Sequence, residues 1–141
     1  EEEPPGLTEL RERIEHLRTV LRDPERTDFR VVTVPEEMSV VETERLVDRL
    51  DEYGIPVETL VVNRVMENLA DVTDLSEGDR AMVVSPDTEN CEFCRRRWEV
   101  QRSALERATD LFRGRTVRRV PLLAEEVRGE RALRVVAACL G

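Results

Sequence analysis

Lysine is absent from this sequence, so all 22 of its basic residues are arginine. That excludes two devices for neutralising nucleotide phosphates, the Walker A lysine and the strand lysine of protein kinases. Glycine is scarce as well. The six glycines, Gly6, Gly54, Gly78, Gly114, Gly129 and Gly141, form neither a GxxxxGK[ST] nor a GxGxxG run, so no glycine-rich loop cradles phosphate. Histidine occurs once, as His16 among charged neighbours, which leaves no Ser/His/Asp arrangement to assemble. No apolar stretch approaches the roughly 18 to 20 residues that span a bilayer. The opening Glu1-Glu2-Glu3-Pro4-Pro5 has neither the basic end nor the apolar run of a signal peptide. These absences point to a cytoplasmic protein with at most a peripheral hold on the membrane.

Acid is what the sequence has in excess. Its 31 carboxylates give a net charge of -9, a surface that repels nucleic acid and excludes it as a partner. An acidic, lysine-free composition also suits a salt-rich, halophile-like cell. The 141 residues and 40% apolar content allow one core, so a single α/β domain over 7–141 is expected behind an acidic leader, 1–6.

Leu7, Leu10, Ile14, Leu17 and Leu21 recur at helical spacing, and Asp23-Pro24 ends that helix. Phe29 to Val34 reads as a buried strand. Ser39 with Glu42 has capping-box spacing for a second helix, with Val40, Val41, Leu46, Val47 and Leu50 inward, ending near Tyr53-Gly54. Val57 to Val62 is the next strand, which completes a parallel βαβ crossover. Ligands of open α/β sheets sit outside the carboxyl ends of the strands, and Glu36 and Asn63 both fall on that edge.

From about 66 to 90 the pattern loses its period, as in a mobile insertion, although Arg80 to Val84 has the make-up of a short strand. Cys91 to Phe112 is helical, with Phe93, Trp98, Leu105, Ala108, Leu111 and Phe112 packing. Thr116 to Val120 is a third strand closed by Pro121. A last helix runs from about Ala124 to Leu140, with Ala132, Leu133, Val136 and Leu140 inward and Gly129 a weak point. The expected fold is α/β, a small, mainly parallel sheet with helices on both faces.

Cys91-Glu92-Phe93-Cys94 is the sharpest local signal. Two thiolates at this spacing hold one half of a tetrahedral zinc site, and a second copy of the chain supplies the other half across a two-fold axis. A redox pair and two inert thiols are the competing readings, while a structural disulfide is disfavoured in the cytosol. Cys139, in an apolar helix, reads as a small buried hydrophobe. Arg95-Arg96-Arg97 opens a helix that continues with Glu99, Arg102 and Glu106, and reads as a solvated, ion-paired face.

Taken in order, Pro35-Glu36-Glu37-Met38-Ser39, Val61-Val62-Asn63-Arg64, Cys91-Glu92-Phe93-Cys94, Val120-Pro121-Leu122 and Glu126-Val127-Arg128-Gly129 resemble the last third of the ArsA-type ATPases, especially the branch that targets tail-anchored membrane proteins. The resemblance implies the carboxyl-terminal part of a deviant-Walker P-loop ATPase that works as a homodimer. It implies ATP, with Mg²⁺ held by the other half, and zinc shared between two chains through Cys91 and Cys94. Asn63 would read the adenine edge, Glu36 would reach the nucleotide, and Pro121 and Leu122 would lie along the base. Such a chain does not hydrolyse ATP alone. The full family member would meet a tail-anchored client or a membrane pump or receptor. Alternative readings are a zinc-clamped dimerisation or regulatory module that binds no nucleotide, and a CxxC redox protein.

Overall fold

The structure, a computed structural model, describes residues 6–67, 76–85 and 87–141. β1 (Phe29–Thr33), α2 (Glu37–Glu52) and β2 (Val57–Val65) make one crossover; α3 (Glu77–Arg80), α4 (Glu92–Leu111) and β3 (Thr116–Pro121) make a second. α1 (Leu7–Arg22) precedes them and α5 (Gly129–Leu140) follows. The strands are parallel in the order β1-β2-β3. Because right-handed crossovers that advance in one direction place their helices on one side, α2 and α4 pack together on the same face. α5 covers the other face against β3, so the α/β class with helices on both faces is as the sequence indicates.

The main core lies between the sheet and the crossover helices. Val31, Leu60 and Val62 meet Val40 and Val47 of α2 and Ala104, Leu105 and Ala108 of α4, with Phe112 closing the end. On the opposite face Val61 and Val120 pack against Cys139 of α5. The central strand is re-phased twice. Phe29 pairs with Val57 but Arg30 with Thr59, and Val62 pairs with Arg119 but Val65 with Pro121, so β2 carries one extra residue at each place. Strict alternation would turn Val57 and Val65 away from Leu60 and Val62; the two bulges return all four to one core.

Several expectations are corrected. β2 does not stop at Val62 but runs through Asn63 to Val65. α2 starts at Glu37 with Glu36 in the N-cap position, so Ser39 lies inside the first turn, and its carbonyl accepts from the Thr33 and Thr43 hydroxyls. Thr43 therefore faces inward while Leu46 is exposed. Residues 80–84 form no strand: Arg80 ends α3 and Val83 makes a single antiparallel bridge to Leu123. The last helix begins at Gly129 rather than Ala124; Leu123 is held in its bridge to Val83, and the Ala124 N–H donates to the Met82 carbonyl beside it. Its inner face is Ala132, Val135 and Cys139, and Leu133 is 58% exposed. Phe93 is exposed at the start of α4 and Leu111 partly so near its end. The leader residues 1–5, and 68–75 and 86 of the expected insertion, lie outside the described residues.

Candidate functional site

The carboxyl edge of the sheet gathers the candidate nucleotide residues. β1 leaves the sheet through Val34 and the fully buried Pro35, which delivers Glu36 to the start of α2. The Glu36 side chain does not cap the helix. It meets the Arg97 guanidinium of α4 at 3.5 Å, with both side chains about half exposed, a pair that contributes little to stability.

Asn63 sits on the second bulge of β2. Arg64, the next residue, has φ 61°, a left-handed conformation uncommon outside glycine and asparagine. Two contacts accompany this turn of the chain. The Asn63 Oδ1 accepts the Arg64 N–H at 2.9 Å. From α4, the buried Gln101 accepts the Met66 N–H on Oε1 at 2.9 Å and donates from Nε2 to the Arg64 carbonyl at 3.5 Å. One amide thereby satisfies a donor and an acceptor of an irregular backbone that has left the regular ladder.

A groove of about 410 Å³ opens beside Asn63, walled by Val32, Val34, Met38, Ser39 and Thr43 among others. Glu36, Pro121 and Leu122 share this edge of the sheet without lining the groove. Pro121 is buried at the end of β3, and Leu122 is stitched in place, donating its N–H to the Val65 carbonyl at 2.8 Å and accepting from the Val84 N–H at 2.9 Å. A larger cavity, about 890 Å³, is lined in part by Gln101 and lies between α4 and the end of β2. Trp98 lines it with the Arg102 guanidinium 5.5 Å from its ring centre, and Arg119 pairs with Glu67 there at 2.8 Å.

Cys91 occupies the N-cap position of α4, where its Sγ accepts the Cys94 N–H at 3.1 Å. The Cys94 thiol also donates to Cys91, and this contact first, then the backbone N–H, holds Cys91 below the ordinary thiol range. Donation to Cys91 and partial burial push Cys94 upward. Among the described residues no cluster of three or more Cys, His, Asp or Glu side chains is placed to hold a metal. Two partly accessible thiols at this spacing fit half of a tetrahedral zinc site. The other expected features of this helix are present as surface ion pairs, with Arg96 bonded to Glu92 and Arg102 to Glu106.

Sequence reasoning missed Gln101 and the bulge it supports. The signal was available: the chain's single glutamine falls at helical spacing between Trp98 and Leu105, in line with Ala108 and Phe112, where an apolar residue belongs.

A parallel sheet with crossover helices and polar groups along its carboxyl edge is the open α/β arrangement that places ligands outside the carboxyl ends of its strands. Residues 3–141 match the family described as anion-transporting ATPases, and the chain belongs to that family. It is 33% identical over 137 residues to an ATPase ASNA1 homolog of Trypanosoma cruzi, covering 96% of this chain and 33% of the relative. It is 29% identical to the ATPase GET3 of Eremothecium gossypii and 31% identical to that of Candida glabrata, covering 87% of this chain and 31% of each. The chain thus spans about a third of the length of these relatives.

Proposed function

We propose that this chain forms the adenine side of the nucleotide site, and part of the dimer interface, of an ATPase that drives tail-anchored protein targeting or anion transport. The observation that carries the reading is Asn63, held at the carboxyl edge of the central strand beside an open groove. Its amide offers a donor and an acceptor, the pair an adenine edge requires. Leu122, partly exposed on the same edge with the buried Pro121 behind it, gives the base an apolar surface to lie along, and Glu36 accepts from the sugar side once it exchanges Arg97 for ligand. Phosphoryl transfer belongs to a lysine-bearing loop and Mg²⁺ outside these residues, so the residues here bind and orient. Zinc would join two copies through Cys91 and Cys94, supplying a fixed tetrahedral crosslink. The working protein is cytoplasmic, touches the membrane only at its periphery and meets its client or pump there.

Titration of the full chain with ADP tests this. Asn63→Ala is expected to weaken ADP binding about tenfold, the loss of one to two hydrogen bonds, with the fold intact by circular dichroism. Unchanged affinity removes Asn63 as base reader. Absence of ADP binding in the unsubstituted chain favours the zinc-clamped module without nucleotide.

A further inference from the structure

A side-chain amide does not by itself distinguish adenine from guanine. The Watson–Crick edge of adenine presents a donor at N6 beside an acceptor at N1, and guanine presents an acceptor at O6 beside a donor at N1. An asparagine amide satisfies the first in one orientation and the second after a half-turn about its terminal bond. Selectivity therefore requires something that prevents the turn.

At Asn63 one end of the amide is already engaged by the backbone. Its Oδ1 accepts the Arg64 N–H at 2.9 Å. Were the amide turned over, Nδ2 would face that N–H, donor against donor, and the bond would be lost. The Arg64 N–H reaches Oδ1 from a chain that turns at φ 61°, a conformation that local preference does not supply for arginine. What stands behind it is Gln101, a polar residue only 7% exposed on an otherwise apolar stripe of α4. It grips the backbone on either side of Val65, at the Arg64 carbonyl and the Met66 N–H, and makes no other side-chain hydrogen bond shown for the described residues.

We propose that Gln101 is a positioning residue for base selection: by clamping the bulge at Arg64 and Met66 it holds the Asn63 amide in one orientation and so sets the preference for adenine over guanine. The inference rests on the reading that Asn63 meets the base, and adds a residue on another element that has no need to touch the ligand.

The test is a double-mutant cycle on the full chain, read as the ratio of ADP to GDP affinity by titration calorimetry. Gln101→Met keeps the side-chain length and removes both hydrogen bonds. In the unsubstituted background it is expected to reduce the ADP preference about tenfold; in the Asn63→Ala background it is expected to change the ratio less than about twofold, because its effect passes through Asn63. A purely structural role predicts weaker binding of both nucleotides at an unchanged ratio, or equal shifts in both backgrounds, and either result overturns the proposal. If Asn63→Ala itself leaves ADP affinity and the ratio unchanged, the base-reading assignment fails and takes this one with it. Should Gln101→Met fail to fold, as a thermal melt would show, the same cycle with Gln101→Glu, which keeps an acceptor for the Met66 N–H and gives up the donor to Arg64, carries the same expectations and the same refutations.

Discussion

At the scale of single residues, two side-chain types do most to distinguish this chain from a generic α/β sheet: the amides Asn63 and Gln101 and the thiols Cys91 and Cys94. Asn63 was legible because it ends an apolar run, and the thiols because of their spacing. Gln101 was legible only as a polar residue on an apolar stripe; its role was not, since that depends on a bulge created by the pairing of three strands, which no local pattern reports. The left-handed turn at Arg64 was hidden for the same reason: arginine carries no local preference for it. The thiols yield a prediction at this scale. Purified at high salt, the chain should carry about half a zinc per copy as a dimer, and a chelator should return it to monomers, because one chain contributes two of the four ligands such a site takes. Cys91→Ser should abolish both zinc and dimer. A zinc-free monomer, or a dimer indifferent to chelation, would leave the two thiols as local packing at the start of α4.

At the scale of elements, helices and strands were legible where the apolar period is strong, and their rotation was less so. α4 was placed within a residue at its start, and β1 and β3 within a residue or so at their ends. α5 shows the limit. Leu133 and Val135 are both apolar and two residues apart, so on a helix they point to different sides, and the period alone does not choose between them. The fold chooses Val135, which is 1% exposed against Val83 and its neighbours, and leaves Leu133 at 58%. Leu133→Ser should therefore change stability by no more than about 0.5 kcal/mol. Val135→Ala should cost about 1 to 3 kcal/mol. Chemical denaturation of both variants measures this, and the reverse order would mean that α5 is turned by roughly half a helix. The missed start of α5 has a tertiary cause too: 122–124 are bonded to Val65 and Met82 and bridged to Val83.

At the scale of the whole molecule, the surfaces that remain uncovered are informative. Among the described residues β1 has a neighbour on one edge only, and Val32 on the α5 side of the sheet is 62% exposed. The apolar stripe of α1, readable from the sequence as one face of a helix, has no buried residue, with Leu7, Leu10, Ile14 and Leu17 all about half exposed. An unpaired parallel edge and an uncovered apolar stripe are surfaces that proteins ordinarily pair or cover. They accord with a chain that spans about a third of its relatives' length. No described helix is long and apolar enough to cross a membrane. Among the described residues the two largest openings are the groove at Asn63 and the larger cavity that Gln101 and Trp98 line. In the proposed function adenine occupies the smaller one.

Photolabelling with 8-azidoadenosine triphosphate, followed by peptide mapping, decides between them most directly. Label that excess ADP displaces, found on the peptides carrying Asn63 and Pro121-Leu122, is the result predicted. Displaceable label confined to the Trp98 peptide, or none at all, would contradict the assignment of this sheet edge as the adenine site.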